Sequence, residues 1–312
     1  MKNVMILSAG VTTGWHLAQV AKQYFSQNIC LHLCDTNPQE LVAAAVLADH
    51  FHQVPYLVDA DYKRAICELL REWNIDVIVP LIDQDLFTWA ADAPELLTLG
   101  VRSTAPVRST VQCLSDKKEM ASFLQKNDLP TPRLVKPEEM IPGRLYIEKR
   151  EVGCGSQGMK VLTGGKEFEK RPTDILQEKC DGDGREVTAE IFNAQGMLRV
   201  FCRERVLTKA GICTKMIPVH IPEIENYIAK LVQLVPCPAA FCAQFMEHRG
   251  RWNLIDCNLR LGAGTAMSSA AGFQLTRAFW ANVCGQPVQE EWLKPDPSVK
   301  AVLRVYDEVV VR

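Results

Sequence analysis

The pattern of apolar residues in this 312-residue chain changes rhythm near Ala105-Pro106. Before it, short apolar runs alternate with helical patterns: NVMILS, WHLAQVAKQYF, ICLHLCD, PQELVAAAVLADHF, YKRAICELLREW and DVIVPLI. Strands that alternate with helices imply crossover connections, so this segment predicts parallel βαβ units with helices on both faces. The strand-end turns SAG, DTN and IDQD then fall where open α/β sheets hold ligands. After the change, SDKKEMASFLQKNDLPTPR reads as a helix capped by Ser115 or Asp116 and ended before Pro130 and Pro132. Strands follow in close succession: RLYIEKR, MKVLT, ILQEK, EVTAEIFN and MLRVFCRERV, then the helix IENYIAKLVQLV and a last pair, FCAQFME and WNLIDCNLR. Such succession predicts antiparallel sheet. The fold class expected is α/β joined to α+β, with a Rossmann-like parallel-sheet domain first.

Composition narrows the function classes. Hydrophobic residues make up 47% and charged residues 23%, as in an ordinary globular protein, and no apolar tract approaches a membrane span. The formal net charge is -2, and no basic run interleaves with aromatics, which disfavours nucleic acid as a partner. The 12 cysteines are scattered without a C-x-x-C pair, so they read as reduced thiols of a cytoplasmic protein rather than a disulfide or zinc framework. The start, MKNVMILSAG, is one strand long in its apolar run and does not read as a secretory signal.

LIDCNLR is the motif richest in chemistry. At strand period, Asp256, Asn258 and Arg260 share a face while Leu254, Ile255, Cys257 and Leu259 can pack. Two oxygen donors suit Mg²⁺, which is held by few protein ligands plus substrate phosphates, and an arginine can fork onto phosphate. The hairpin partner FCAQFM brings Gln244 as a third oxygen donor. The alternative is a solvated strand face. The GAGT that follows reads as a turn giving substrate access to the backbone rather than a phosphate cradle.

GCGSQG, from Gly153 to Gly158, joins two strands and feeds no helix, so it is not a P-loop. Its backbone amides and Ser156 can close over a triphosphate with Lys149 supplying charge, or it is a surface hairpin. In ILQEKCDGDGREVTAEIF, main-chain groups around Glu178, Lys179 and Cys180 can pair with an adenine edge, and Glu186 can accept from ribose hydroxyls. Taken singly, these glutamates read as surface. SAGVTTG supplies only Gly10 and Gly14 and lacks G-x-G-x-x-G, so a nicotinamide site, with Asp35 on its ribose, is disfavoured. Asp83 and Asp85 read as helix caps, and His50 and His52, around Phe51, as surface loop residues without ligand partners.

In combination and in order, VIVPLIDQDL, SDKKEMASFLQKNDLPTP, the lysine strand with its glycine loop, the QEK strand and the terminal N-x-R resemble the ATP-grasp superfamily. The likeness is to the branch similar to half of a carbamoyl-phosphate synthase large chain, which includes carboxylate–amine ligases. The resemblance implies a pre-ATP-grasp domain at 1-105, a small lobe with the glycine flap at 106-180 and a C-terminal lobe with the metal site at 181-312. It implies ATP with Mg²⁺ or Mn²⁺, small-molecule carboxylate and amine substrates joined through an acyl phosphate, no membrane and no nucleic acid, and it is compatible with a homodimer. By this resemblance Lys149 contacts ATP phosphates beneath Gly155, Ser156 and Gly158. Glu178, Lys179 and Cys180 form the adenine strand, and Glu186 is the ribose acid. Gln244, Asp256 and Asn258 are the metal ligands, and Arg260 lies near the transferred phosphoryl group. Arg203, Arg205 and Lys215 fall where relatives have basic residues. Substrate choice is expected from Asp83, Asp85, Arg203 and the loop after Arg260. Three departures stand out: Asp256 where glutamate is usual, Arg150 where proline is commoner, and an uncharged Gln244. Weaker metal binding, and at the limit an ATP-binding regulatory or scaffold protein, is the alternative these departures raise.

Overall fold

The computed structural model describes residues 1–151, 159–166, 171, 173–181 and 184–311. The first part contains β1 (Lys2–Ile6), α1 (Thr12–Phe25), β2 (Ile29–Asp35), β3 (His50–Gln53), α2 (Tyr62–Glu72), β4 (Val77–Val79), α3 (Asp83–Thr88), α4 (Pro94–Leu99) and β5 (Arg102–Ser103). Its strands form one parallel sheet in the order β3-β2-β1-β4-β5. The order reverses between β1 and β4, and such a switch point is where open α/β sheets bind ligands. Ser8 and Asp85 meet there, with the Ser8 hydroxyl donating to the carboxylate at 2.7 Å.

Three sequence expectations change here. PQELVAAAVLADHF forms two 3₁₀ turns, Gln39–Leu41 and Ala43–Leu47, because Val42 between them is buried in an extended conformation that interrupts the helix. His50 and His52 belong to β3 rather than a loop. Asp83 and Asp85 open α3 without capping it: Asp83 pairs with Arg260, and buried Asp85 accepts from Ser8 and Tyr62. The Asp35 carboxylate accepts from the Gly10 amide at 2.6 Å and so ties the end of β2 to the turn after β1.

The chain continues through α5 (Arg108–Ser115) and α6 (Lys117–Lys126), the latter capped by Asp116, which accepts from the Lys118 and Glu119 amides. Strands β6 (Leu145–Arg150), β7 (Lys160–Thr163) and β8 (Asp174–Glu178) form a small antiparallel sheet, ordered β7-β6-β8. Next come β9 (Glu186–Ala194), β10 (Met197–Lys209), β11 (Ile212–Val219), α7 (Pro222–Leu234), β12 (Ala240–His248), β13 (Arg251–Asn258), α8 (Thr265–Ala270), α9 (Leu275–Cys284) and β14 (Val302–Leu303). They build a second antiparallel sheet, ordered β13-β12-β9-β10-β11-β14. α5, β11, α8, α9 and β14 go beyond what the sequence pattern indicated.

One core packs β9, β12 and β13 against α5, α6 and α7, with Val187, Phe245 and Leu254 facing Leu124 and Ile228. On the other face, Phe192, Phe201 and Met216 join α9 to α1 and the parallel sheet, so the large sheet and the first part share one apolar interior. That continuity holds the end of β13 against the switch point of the parallel sheet.

Candidate active site

The site begins with a local irregularity. In a strict strand, Leu254 and Asp256 would point to the same side. Along β13 and β12, however, Gln244 pairs with Asp256 while Phe245 pairs with Leu254, so Ile255 is the extra residue of a β-bulge. The bulge turns Leu254 into the core at 0% exposure and leaves Asp256, Asn258 and Arg260 on the other face. It also frees the Ile255 carbonyl to accept from Lys149 Nζ at 3.3 Å, tying the small sheet to the large one.

Register then lays a row of polar side chains across the large sheet. Asp256 lies opposite Gln244, Gln244 opposite Thr188, and Thr188 opposite Arg203. This row faces a cavity of about 610 Å³ whose walls also include Lys117, Lys149, Glu186 and Arg260. Cavities of this size hold small organic ligands. Two buried atoms of the row, Thr188 Oγ1 and Arg203 Nη1, have no hydrogen-bond partner among the described residues. Buried polar atoms are seldom left so, and these two point to a polar ligand.

The charges are held in fixed positions. Arg260 donates from Nε to Asp83 at 3.1 Å and from Nη2 to the Asn258 side-chain oxygen at 3.1 Å, so the start of α3 orients it. Asn258 in turn donates to Asp256 at 3.2 Å, and Lys117 lies 3.7 Å from the same carboxylate. Arg203 pairs at 3.1 Å with Glu190, which is 0% exposed and also accepts from Thr265 at 2.9 Å. A Cβ on Gly264 would sit 2.0 Å from Arg203 Nη2, so the GAGT turn leaves room for the guanidinium itself. Glu186 pairs with Arg205 at 3.1 Å, and burial raises its pKa against the pull of that arginine.

Lys149 is half-buried, and its ammonium donates to the Ile255 carbonyl. Desolvation draws its pKa from 10.5 down to about 8; Asp256 opposes that shift and Lys117 adds to it. A polyanion in the cavity would relieve both the desolvation and the repulsion between the two lysines.

The expected site residues therefore separate. Lys149, Glu186, Arg203, Arg205, Gln244, Asp256, Asn258 and Arg260 share the cavity wall. Lys215 is exposed and does not line it, because its neighbour Met216 takes the inward position. Glu178, Lys179 and Cys180 also stand outside the wall. The buried Glu178 carboxylate is engaged by Arg249 at 2.9 Å, His248 at 3.4 Å, and Arg133 and Arg144 at 3.5 Å. Gly155, Ser156 and Gly158 lie outside the described residues. Lys117, Thr188 and Glu190 were missed by sequence reasoning. In SDKKEM the lysine after the cap reads only as a helix start, and Thr188 and Glu190 gain meaning only from cross-strand register.

Oxygen donors Asp256, Asn258 and Gln244 face a cavity with basic walls, and a single carboxylate with neutral oxygens beside it fits Mg²⁺, which is usually held by one or two carboxylates plus substrate phosphates. The uncharged Gln244 fits as a neutral ligand.

Residues 4–104 match the family described as PylC-like, N-terminal domain, and residues 114–264 match the ATP-grasp domain. No curated protein sequence matches the chain. Among solved structures, the chain is similar to N5-carboxyaminoimidazole synthetase from Staphylococcus aureus complexed with ADP, at 17% identity and a TM-score of 0.73, covering 92% of this chain and 78% of that one. It is similar to carboxyaminoimidazole ribonucleotide synthase from Aspergillus clavatus complexed with ATP, at 13% identity and a TM-score of 0.75, covering 95% and 80%. It also resembles L-amino acid ligase from Bacillus licheniformis, at 15% identity and a TM-score of 0.72, covering 95% and 78%. The chain joins a PylC-like N-terminal domain to an ATP-grasp domain.

Proposed function

We propose that the protein is an ATP- and Mg²⁺-dependent ligase that joins a carboxylate to an amine through an acyl phosphate. The observation that carries this reading is the register row from Asp256 to Arg203 beside Lys149 and Arg260. It sets hard oxygen donors among cations on one cavity wall, and the wall keeps two buried polar atoms without a partner among the described residues.

The roles follow from charge and position. Bound Mg²⁺ would neutralise phosphate oxygens, with Asp256, Asn258 and Gln244 as its protein ligands. Lys149 and Arg260 would stabilise the charge that develops as the γ-phosphoryl group leaves ADP and bonds to a carboxylate oxygen. Arg203, anchored by Glu190, would orient that carboxylate from the far end of the row. An amine nitrogen then attacks the acyl carbon, the C–O bond to phosphate breaks, and the amine loses a proton as phosphate departs. No nucleophilic side chain is required, so the buried thiols have no part in the chemistry. Asp83, at 3.1 Å from Arg260, would report substrate position from the parallel sheet to the phosphoryl site.

The test is a phosphate-release screen with ATP and Mg²⁺ over amino acids and small carboxylic acids, with mass spectrometry of the products. Phosphate release that depends on a carboxylate and an amine, with an amide product, supports the reading. ATP binding without turnover for any pair would identify a nucleotide-binding regulatory protein instead.

A further inference from the structure

We propose a second metal site, for Zn²⁺, at the edge of the parallel sheet, formed by Cys30, His32 and His50 and oriented by His52. Cys30 and His32 are two apart on β2 and so share a face. His50 is the direct register partner of His32 on the neighbouring edge strand β3. One ligand atom from each of the three lies within 4.8 Å of the others. This cluster has no place in the ligase chemistry.

The Cys30–His32 spacing has the dimensions of a coordinating pair. A thiolate at about 2.3 Å and an imidazole nitrogen at about 2.0 Å from Zn²⁺, at a tetrahedral angle, stand about 3.5 Å apart. Cys30 Sγ and His32 Nε2 are 3.6 Å apart. The other nitrogen of His32, Nδ1, is 3.1 Å from His52 Nε2. In the tautomer where His32 donates from Nδ1 to His52, its Nε2 lone pair is turned toward Cys30. A hydrogen bond from the second ring nitrogen is how ligand histidines are usually held.

The surroundings restrict what can enter. Trp73 closes the cluster on one side, with ring centroids 4.3 Å from His50, 5.3 Å from His32 and 5.5 Å from His52. His32 is buried, whereas Cys30 and His50 keep partial exposure, which leaves a fourth position open to water. One thiolate and two imidazoles select a borderline-soft ion over Mg²⁺, which prefers oxygen. Binding would displace the Cys30 proton into solvent. It would also staple β3 to β2 at the sheet edge.

The experiment uses the full chain, reduced and stripped with chelator. Zn²⁺ is titrated against a chromophoric chelator, and Co²⁺ serves as the spectroscopic probe. The expected result is one equivalent bound per chain, undisplaced by excess Mg²⁺ and retained in Asp256→Ala. Bound Co²⁺ should show a thiolate charge-transfer band and tetrahedral ligand-field bands. Cys30→Ser should lose the charge-transfer band, His50→Ala should weaken Zn²⁺ by at least roughly ten-fold, and His52→Ala by about 10- to 100-fold. Cys284→Ser should bind as the parent does. Absence of stoichiometric Zn²⁺ binding would overturn the proposal. So would binding that Cys30→Ser and His50→Ala both leave unchanged, each variant being checked for fold by circular dichroism.

Discussion

Replacing Lys149 by methionine separates what the lysine does for chemistry from what it does to stability. Methionine keeps most of the stem volume and removes the charge. The lysine pKa falls from 10.5 to about 8 in the folded protein, mainly through desolvation. At about 1.4 kcal/mol per pH unit, that fall corresponds to about 3 kcal/mol of destabilisation when the lysine is charged. Water in the open cavity trims the figure, so we expect about 1–3 kcal/mol. Between about pH 8 and about pH 10.5 the unfolded chain holds more protons on this lysine than the folded one, so folding stability rises with pH across that window. The full penalty applies below about pH 8, and none remains above about pH 10.5. Lys149→Met should therefore be the more stable protein near neutrality, with the difference closing as pH approaches the unfolded value, while ATP hydrolysis is lost. Urea unfolding under reducing conditions, followed by tryptophan fluorescence at a series of pH values, measures this directly. A variant less stable than the parent near neutrality, or a difference indifferent to pH, would refute the desolvated-lysine reasoning.

Other perturbations have equally definite outcomes. Near pH 8, ATP binding should take up a proton at Lys149, because phosphate oxygens favour the charged amine; calorimetry in two buffers of different ionisation enthalpy reads the uptake as a difference in apparent enthalpy. Asp256→Ala should lower carboxylate-dependent phosphate release by about 100- to 1,000-fold with little change in urea midpoint. Arg203→Met strands the fully buried Glu190 and should cost about 3–5 kcal/mol, most of it recovered in the double variant with Glu190→Gln, as equilibrium unfolding would show. Gln244→Glu adds a charged oxygen beside Asp256 and should shift the Mg²⁺ dependence of turnover to lower concentration.

The order of elements was legible because its signals are local. The period-two run LIDCNLR, the Asp116 cap and the strand–helix alternation before residue 105 each follow from backbone sterics and side-chain burial over a few residues. What could not be read locally was partnership across the chain. The bulge at Ile255, which decides whether Leu254 or Asp256 faces the cavity, depends on β12 register. The pairing of Asp83 with Arg260 joins positions far apart in sequence, so the capping expectation for Asp83 missed its main contact. Gly264 looked like a turn glycine with substrate above it, and the group it admits is Arg203 from another strand. His50 and His52 appeared to lack ligand partners because Cys30 and His32 stand on the adjacent strand.

Activation of a carboxylate by phosphorylation in this cavity can be followed atom by atom: a carboxylate substrate labelled with heavy oxygen is supplied with ATP, Mg²⁺ and the amine, and the released phosphate is weighed. Acyl-phosphate chemistry predicts ADP as the nucleotide product and one labelled oxygen per phosphate released. Label appearing in AMP, or unlabelled phosphate alongside amide product, would contradict it.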